Sequence, residues 1–420
     1  MTYEESMRFI RSLDKFGSRP GLDRIRRLFD FVPDTLDQPF IHVAGTNGKG
    51  SVCAMLACVL REAGYTVGQF TSPYITTYRE HIQIDGQPVF EEDFAEAVSY
   101  LAPKVQELSA EGVIITEFEF LTVLAFTIFK RQKCDFVICE AGMGGLLDAT
   151  NVIKNPLCAV ITRVDLDHTA FLGGTIGEIA FQKAGIIKEN SAAVTAVQPE
   201  EAAAVIKAKA TEKNNILFRA SDVDMSVTQT TRDGTVFFYR GREMLLPLIG
   251  RHQIDNLRCA LAALDALEVK YGMTLSAEVI RRGLGRVRQP ARFEKLRDDP
   301  TVILDGAHNP NGMRAFARTV RELYPEGDKT LIIGMLADKD SAALENLRGL
   351  FTRAITADID NPRALSAEAL AQRLGGICES VEAVGDPGAA YEKALSYGDD
   401  VFICGSLYLA REIRPIILGE

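Results

Sequence analysis

The sequence lacks an excess of basic residues, and this absence limits the partners that it can bind. Its 420 residues include 47 Lys and Arg against 57 Asp and Glu, which gives a formal net charge of −10. Nucleic acids and anionic membranes attract proteins mainly through basic surfaces. We therefore expect no nucleic-acid or membrane partner, and any phosphate that the chain binds must be held by a local pocket.

Long apolar runs and closely spaced cysteines are also missing. The longest clear apolar run, LTVLAFTIF, is far too short to cross a bilayer. The first residues, MTYEESMRFI, are acidic rather than basic and then apolar. The pairs Cys53/Cys58 and Cys134/Cys139 are five positions apart, and no pair has the C-x-x-C spacing of zinc or redox sites. Reduced, mostly buried thiols are typical of the cytoplasm, which is the predicted location.

Apolar runs alternate with helical patterns from Phe40 to about Val197. The strand-like runs include FIHVAG, TVGQFTS, CDFVICEAG and LCAVITRVD, and the helical ones include SVCAMLACVLREAG and FEFLTVLAFTIFKRQ. Such alternation predicts an α/β fold with a mostly parallel sheet covered by helices. Further on, Asp233-Gly234 separates two β-rich runs. This pair indicates a small antiparallel sheet attached to the first domain.

The alternation restarts after a polar, proline-containing stretch around Arg288 to Arg297. The strand-like runs beyond it are TVILDGA, KTLIIGM, RAITADI, VEAVG and DVFICGS. We predict a second, Rossmann-like α/β domain whose first strand is TVILDGA. The two domains are expected to comprise residues 1–292 and 293–420.

The segment GTNGKGS, residues 45–51, follows an apolar strand and precedes a helix. In this setting, backbone N–H groups and the helix dipole bind phosphate. Gly45, Gly48 and Gly50 permit close approach of the backbone to a ligand. Lys49 can reach the β- and γ-phosphates of a nucleotide, and the Ser51 hydroxyl can face phosphate or magnesium. The alternative is a glycine-rich turn with an ordinary surface lysine, and the segment alone does not exclude it.

Acidic and histidine side chains follow two of the predicted strands. FVICEAG places Glu140 at the carboxyl end of one strand, and AVITRVDLDH places the segment from Asp165 to His168 after another. Ligands of open α/β sheets gather at these ends. Oxygen-rich groups near a bound triphosphate suit magnesium. From the residues alone, a solvated acidic strand end is an equally good interpretation.

Lys183 is unusual because it lies among apolar residues on a predicted helix, in IGEIAFQKAGIIK. The ordinary interpretation is a lysine whose stem covers apolar surface while its amine reaches water. If the amine is buried instead, its pKa falls, and the neutral amine can add carbon dioxide to form a carbamate. Such an anion would be able to hold a magnesium ion.

The glycine between Lys49 and Ser51 is informative, because GTNGKGS resembles the phosphate loop of folylpolyglutamate and dihydrofolate synthases. The related Mur ligases of cell-wall synthesis commonly have Gly-Lys-Thr or Gly-Lys-Ser without this insertion. The similarity continues, in family order and over almost the whole chain, in TSPYITTYREHIQIDG, TEFEFLTVLAF, EAGMGGLLDATN, DHTAFLGGTIGEIAFQKAGIIK, HQIDNLRCAL, PARFE and LDGAHNPNGM. The chain thus resembles ATP-dependent ligases that add L-glutamate to folates.

The resemblance implies an ATP site with two magnesium ions. The residues that it assigns to ATP are Asn47, Gly48, Lys49, Gly50, Ser51, Asn256, Arg292 and Asp305. Those that it assigns to magnesium are Ser72, Glu140, His168 and, as a carbamate, Lys183. Around Lys183 the family has EKAG where this chain has QKAG, a departure only in the preceding residue. From the residues alone, Asn256 is equally well a helix cap and Arg292 a linker charge.

The resemblance also implies subsites for the other substrates. The residues that fall where bifunctional members bind dihydropteroate are Thr116, Phe118, Glu119, Leu147, Asp148 and Ala149. Phe118 could offer a stacking face to a pterin, but in FEFLTVLAF a core role for the aromatic residues is the stronger default. RPGL, residues 19–22, falls in the same subsite but matches the family poorly. The residues expected to bind glutamate are His308 and Ser406, and those expected to act in catalysis are Lys49, Lys183, Asp305 and His308.

By analogy with the family, the carboxylate of the folate attacks the γ-phosphate, ADP leaves, and the glutamate amine captures the acyl phosphate. We expect a monomer that binds ATP, L-glutamate and a folate, and whether dihydropteroate is a further acceptor stays open. One alternative is a Mur-type ligase acting on a nucleotide-sugar peptide, which GKGS disfavours. Another is a nucleotide-binding switch without ligase chemistry. The combination of Glu140, His168, Lys183 and His308 argues against a switch, since a binder needs fewer such groups.

Overall fold

The computed structural model describes residues 1–13, 20–337 and 341–419. Its helices are α1 (Tyr3–Leu13), α2 (Asp23–Phe29), α3 (Lys49–Glu62), α4 (Glu91–Ala110), α5 (Glu117–Arg131), α6 (Thr169–Leu172), α7 (Ile176–Ala184), α8 (Glu200–Glu212), α9 (Arg251–Tyr271), α10 (Ala277–Gly285), α11 (Pro310–Leu323), α12 (Ala367–Leu374), α13 (Pro387–Ser396) and α14 (Leu407–Leu418). In the described part of the chain, no helix has both the length and the apolar composition that crossing a membrane requires.

The strands of the larger sheet are β1 (Phe40–Ala44), β2 (Val67–Phe70), β3 (Ile82–Ile84), β4 (Gln87–Pro88), β5 (Phe136–Glu140), β6 (Cys158–Ile161), β7 (Ala192–Thr195) and β8 (Leu217–Arg219). They lie in the order β4-β3-β2-β5-β1-β6-β7-β8. Strands β2, β5, β1, β6, β7 and β8 pair in parallel with their neighbours. At the other edge, β3 pairs antiparallel with both β2 and β4. Since β1 lies between β5 and β6, the loop after β1 meets the residues that follow both neighbours.

Helices cover both faces of this sheet. One face packs against α3, α9 and α10, and the other packs against α1, α2, α4 and α5. Strands β1, β5 and β6 are buried along their whole lengths. Burial on both faces explains why these strands are continuous apolar runs in the sequence. The predicted mostly parallel sheet is therefore confirmed.

A small antiparallel sheet lies against α9 and α10. It consists of β9 (Met225–Thr231), β10 (Gly234–Tyr239) and β11 (Arg242–Leu246), in the order β11-β10-β9. Gly234 follows the turn between β9 and β10 with a φ of +135°. A Cβ atom there would lie 2.2 Å from the Leu246 carbonyl oxygen, so glycine is required. The hairpin predicted from Asp233-Gly234 is confirmed.

The second sheet consists of β12 (Glu294–Asp298), β13 (Thr301–Leu304), β14 (Lys329–Ile333), β15 (Arg353–Ala357), β16 (Ser380–Gly385) and β17 (Asp400–Cys404), in the order β12-β13-β17-β14-β15-β16. From β13 onwards the neighbours pair in parallel, which confirms the expected second α/β unit. The domain limits of 1–292 and 293–420 stay a prediction.

The prediction that TVILDGA forms the first strand of this sheet is wrong. Strand β12 precedes it and pairs antiparallel with β13 at the edge of the sheet. Four of the five β12 residues are charged, and only Leu296 is apolar. An edge strand does not need two apolar faces, and charged side chains protect it from pairing with other chains. For this reason β12 looks like a polar linker in the sequence.

All eight cysteines lie in described parts of the chain and are free thiols. Seven of them are buried. Burial raises the pKa of Cys259 to about 12, which keeps this thiol protonated and unreactive. The prediction of mostly buried, unpaired thiols is therefore confirmed.

Candidate active site

The phosphate-loop segment connects β1 to α3 in the middle of the larger sheet. Gly48 has a φ of +90° and precedes the first helical residue, Lys49. A Cβ atom on Gly48 would lie 2.1 Å from Asn256 Oδ1, and one on Gly45 would lie 1.8 Å from Thr162 Oγ1. Both positions require glycine, because neighbouring side chains leave no room for a Cβ atom. The loop is thus shaped by α9 and by the end of β6.

Lys49 lies across this loop and faces the end of β5. Its Nζ atom donates to the carbonyl oxygens of Gly45 at 3.2 Å and Thr46 at 3.5 Å. The same atom lies 3.8 Å from Glu140 Oε1. Ser51 is buried in the first turn of α3. An ammonium group beside a helix amino terminus is a favourable setting for phosphate, since both carry positive charge.

Glu140 is a buried carboxylate at the carboxyl end of β5. Burial raises its pKa, and the positive charges of Lys49 and Arg292 oppose this rise. The Ser72 backbone N–H donates to Glu140 Oε2 at 3.4 Å. Burying a carboxylate costs folding free energy, even when cations face it. Carboxylates with shifted pKa values and specific charged partners are concentrated at functional sites.

Lys183 is buried, with 3% of its surface exposed, so the interpretation as a surface lysine is wrong. Its Nζ atom donates to the Gly45 carbonyl oxygen at 2.9 Å. Burial and the charge of Lys49 lower the pKa of Lys183 to about 7, although Asp167 and Asp148 oppose the change. The neutral amine is thus accessible near neutral pH, and this is the form that adds carbon dioxide.

His168 lies at the rim of the site, directly before the short helix α6. It has a φ of +50°, a left-handed conformation that is uncommon outside glycine. Its side chain is about half exposed, and Nε2 lies 3.9 Å from Asp167 Oδ1. The turn after β6 therefore directs an imidazole and a carboxylate toward the same edge of the sheet.

Two asparagines of the second α/β unit contact the first unit across the site. Asn309, which caps α11, donates through Nδ2 to Asn47 Oδ1 and to Asp167 Oδ2, each at 3.3 Å. Asn311 donates to Asp165. Neither residue was predicted from the sequence, although both lie in the segment LDGAHNPNGM. The sequence feature that could have indicated them is the presence of two asparagines shortly after the predicted strand TVILDGA.

Asp305 is a second buried carboxylate, directly after β13. Its Oδ2 accepts from the Phe293 N–H and its Oδ1 accepts from the Ala307 N–H, both at 2.7 Å. Burial raises the pKa of Asp305, and the charge of Arg292 opposes this rise. Arg292 therefore acts on the carboxylates that end β5 and β13, one from each sheet.

His308, Ser406 and Asn256 complete the walls of the site. His308 Nδ1 donates to the carbonyl oxygen two residues before it at 2.8 Å. Ser406 caps α14, and its Oγ accepts from the Tyr408 N–H at 3.0 Å. Asn256 lies within α9 and donates to Gln253 Oε1 at 2.9 Å, so it is not the helix cap that the alternative interpretation required.

These side chains border one cleft of about 410 Å³ between the two sheets. The predicted ATP, magnesium and glutamate residues all border it, namely Asn47, Gly48, Lys49, Gly50, Ser51, Ser72, Glu140, His168, Lys183, Asn256, Arg292, Asp305, His308 and Ser406. Among the described residues, no three His, Cys, Asp or Glu side chains form a cluster that could hold a metal. A hydroxyl and a carboxylate nevertheless suit magnesium, which usually completes its shell with phosphate oxygens and water. The imidazole of His168 is a less typical ligand for this ion.

A second, mainly apolar pocket of about 400 Å³ opens into the cleft. The predicted folate residues all border it, namely Thr116, Phe118, Glu119, Leu147, Asp148 and Ala149. The two cavities share Ser72, Met143, Phe171 and two glycines, Gly142 and Gly144. Of the segment RPGL, Arg19 lies outside the described residues, while Pro20 and Gly21 border the pocket.

Two of the three acidic residues that border this pocket, Glu119 and Asp148, are engaged in local structure. Glu119 Oε2 accepts from the N–H and the hydroxyl of Thr116, both at 2.9 Å. Arg24 forms an ion pair with Glu119 Oε1 at 3.0 Å. Asp148 Oδ2 accepts from the Met143 N–H at 2.8 Å. These carboxylates therefore hold the pocket wall in place.

Aromatic rings form much of the remaining wall. Phe118 is partly exposed toward the pocket, and its ring centroid lies 5.7 Å from that of Phe70. A Cβ atom on Gly142 would lie 2.6 Å from the Phe118 ring, so glycine makes room for it. His81, which was not predicted from the sequence, is a buried residue of the pocket, and burial lowers its pKa to about 4. Its only signal was its place in the quoted segment TSPYITTYREHIQIDG.

Two family models match the chain. Residues 43–264 match the Mur ligase middle domain. Residues 291–407 match the glutamate ligase domain of Mur ligases. The first match covers more than half of the chain, and together with the fold and the cleft it defines the class of protein, a Mur-type ATP-dependent ligase.

Full-length relatives define the family more narrowly. The chain is 37% identical to the dihydrofolate synthase/folylpolyglutamate synthase of Bacillus subtilis, over 98% of each chain. It is 35% identical to the folylpolyglutamate synthase of Lacticaseibacillus casei, over 100% of this chain and 99% of that one. The folylpolyglutamate synthase of Mycobacterium tuberculosis, solved with ADP and AMPPCP, superposes with a TM-score of 0.90 at 32% identity and 99% coverage of both chains. The chain belongs to the folylpolyglutamate synthase/dihydrofolate synthase family.

Proposed function

We propose that the protein is an ATP-dependent ligase that adds L-glutamate to the terminal carboxylate of a folate. The observation that carries this proposal is the junction of the two cavities at Ser72, Met143 and Phe171. Apolar walls suit the rings of an acceptor, and a few polar groups suit its orientation. An acceptor seated in the apolar pocket would direct its carboxylate into the cleft that contains Lys49.

ATP is assigned to the cleft, with its phosphates at the amino terminus of α3. The loop from Asn47 to Ser51 would bind the phosphates through backbone N–H groups and the Lys49 ammonium. Asn256, Arg292 and Asp305 would contact the nucleotide from the other walls. The position of Arg292, close enough to Asp305 to affect its pKa, supports a role facing the cleft. The relative solved with ADP and AMPPCP supports the choice of nucleotide.

The oxygen donors of this cleft suit magnesium. Ser72, Glu140 and His168 would hold one ion, and Lys183 as a carbamate would contribute to a second. Bound magnesium supplies positive charge to the phosphate oxygens during transfer. Few protein ligands suffice, because this ion retains several waters and binds phosphates directly.

The reaction consists of two transfers. A carboxylate oxygen of the folate attacks the γ-phosphorus, the bond to the bridging oxygen breaks, and ADP leaves with the electron pair. The glutamate amine then attacks the acyl carbon, phosphate leaves, and the nitrogen releases a proton. ATP is needed because phosphate is a far better leaving group than the oxide of a free carboxylate. Lys49 offsets the negative charge that develops on the transferring group.

The incoming glutamate is assigned to the second-sheet side of the cleft. His308 and Ser406 border the cleft just after β13 and β17, and Asp305 lies next to them in the chain. His308 and Asp305 would orient the acyl phosphate and the amine rather than form covalent bonds. Because Lys49 belongs to the first unit, as the first residue of α3, the complete site requires both units to face the same cleft.

Dihydropteroate is a second candidate acceptor. The Bacillus subtilis relative is named for both activities and the Lacticaseibacillus casei relative for one. Dihydropteroate ends in a benzoate carboxylate and is shorter than a folate by one glutamate, so its rings would have to bind nearer to Ser72. The monomeric state and the cytoplasmic location stay predictions.

The test is ADP release by purified protein with ATP, magnesium and glutamate, with tetrahydrofolate in one reaction and dihydropteroate in another. Glutamate-dependent release with tetrahydrofolate alone supports a polyglutamylating enzyme, and release with both supports a bifunctional one. Lys49→Ala should reduce turnover at least about 100-fold while unfolding stays unchanged, and exposed Lys207→Ala is the matched control. Silence with both acceptors, in protein that binds ATP, would contradict the assignment.

A further inference from the structure

One helix of the second unit borders the cleft and contacts the segment that leads to the acceptor pocket. Helix α14 begins after Ser406, and both Ser406 and Tyr408 border the cleft on the side assigned to glutamate. One turn further along the same helix, Arg411 points away from the cleft toward the segment that follows β2. The helix therefore borders the cleft and, within its first two turns, also contacts the segment after β2.

Arg411 is held against Tyr74 of that segment. Its guanidinium carbon lies 3.6 Å from the centroid of the Tyr74 ring, and Nη2 donates to the Tyr74 carbonyl oxygen at 3.3 Å. The Tyr74 ring in turn packs edge-on against His81, with centroids 5.3 Å apart. His81 borders the acceptor pocket. A short chain of contacts thus connects α14 to the pocket wall.

The Ser72 segment, residues 72–77, follows strand β2 of the larger sheet in the chain but packs against the second unit. Ile75 is buried in the same apolar cluster as Leu409 and Ile413 of α14. Arg414 donates to Thr76 Oγ1 at 3.2 Å. At its other end the segment presents Ser72, which borders both cavities. Ser72 is therefore linked to α14 through its own segment, and to the first sheet through the hydrogen bond that its backbone N–H donates to Glu140.

We propose that Arg411 is a positioning residue that couples the glutamate side of the cleft to the acceptor pocket. By holding Tyr74, it sets the position of Ser72 at the junction of the two cavities. A partly buried guanidinium above an aromatic ring is attracted to that ring, and the contact helps to fix a short segment. Movement of α14 during glutamate binding then also adjusts the acceptor site. This inference rests on the proposed function.

The first test compares Arg411→Met with Arg411→Lys. Methionine retains an unbranched stem but removes the charge and the donor, so the dissociation constant and KM for tetrahydrofolate should rise roughly tenfold. The KM for ATP should stay within about twofold, because the phosphate loop belongs to β1 and α3. Lysine keeps a cation above the ring and should restore part of the affinity. Arg348→Met, at an exposed arginine of the second unit, is the matched control.

Tyr74→Leu tests the same contact from the other side, and does so even if Arg411→Met fails to fold. It should raise the dissociation constant for tetrahydrofolate by a similar factor. The double variant should show less than the product of the two single effects, because both remove one interaction. Independent, multiplicative effects would overturn the coupling.

A merely structural role predicts a different outcome. In that case Arg411→Met would lower the melting temperature or the folded fraction and leave the tetrahydrofolate dissociation constant unchanged, which would overturn the proposal. Wild-type protein that binds no folate would overturn the proposed function and this inference together. Wild-type protein that turns over folate while Arg411→Met and Tyr74→Leu match it would overturn this inference alone.

Discussion

Replacement of Lys183 by methionine should change how the stability of the protein depends on pH. Burial lowers the pKa of this amine to about 7 from its ordinary value of 10.5. In the unfolded chain the amine faces water and keeps the ordinary value. Between these two values the unfolded chain binds more protons than the folded protein, so the wild type gains stability as pH rises from 7 to 10.5. The methionine variant lacks this dependence.

The expected size follows from the same pKa difference and one hydrogen bond. At 1.36 kcal/mol per pKa unit, the buried amine destabilises the fold by roughly 5 kcal/mol at and below pH 7. This cost falls to roughly 2 kcal/mol at pH 9 and disappears above 10.5. The bond from Nζ to the Gly45 carbonyl at 2.9 Å opposes it by about 1 kcal/mol at every pH. Lys183→Met should thus be several kcal/mol more stable than wild type at pH 7 and about equally stable at pH 10.

Urea unfolding of both proteins at pH 7, 8, 9 and 10 measures this difference. The buffers must be free of carbon dioxide, because a carbamate would remove the amine from the titration. Lys207→Met, at an exposed lysine of α8, is the control, and its difference from wild type should not change across the series. A difference between wild type and Lys183→Met that stays constant from pH 7 to pH 10 would refute the reasoning.

Three further predictions concern the ligand sites. Gly48→Ala should weaken ADP binding at least about tenfold in calorimetric titration, because the new Cβ atom would lie 2.1 Å from Asn256 Oδ1; unchanged affinity would contradict the loop geometry. Phe118→Ala should raise the KM for tetrahydrofolate roughly tenfold and leave the KM for ATP unchanged, since the ring borders only the apolar pocket. Glu140→Gln should raise the magnesium concentration for half-maximal turnover at least about tenfold, because a neutral amide is a weaker ligand; equal magnesium dependence would exclude Glu140 as a ligand.

Local patterns were sufficient to predict the elements that carry the site. The buried strands β1, β5 and β6 appear as continuous apolar runs because helices cover both faces of a parallel sheet. The loop from Gly45 to Ser51 could be recognised because glycines, a lysine and a following helix are adjacent in the chain. The Asp233-Gly234 turn was recognised for the same reason, since its backbone requirements are local.

The burial of Lys183 and the role of β12 depended on residues distant in the chain. The local sequence around Lys183 is the same whether its amine reaches water or donates to the Gly45 carbonyl. Only the packing of α7 against the phosphate loop decides between an exposed and a buried amine. Strand β12 is polar because it is a sheet edge, and an edge can be recognised only when the neighbouring strand β13 is known.

The sequence by itself determined the α/β class, the phosphate loop, and the side chains chemically suited to bind nucleotide, metal and acceptor. The tertiary structure decided that the predicted residues border two joined cavities, and it added Asn309, Asn311 and Arg411 as contacts between the two units. The physical reason is that strand, turn and helix preferences act between neighbours in the chain. Burial, shifted pKa values and the meeting of strand ends depend on which distant segments pack together.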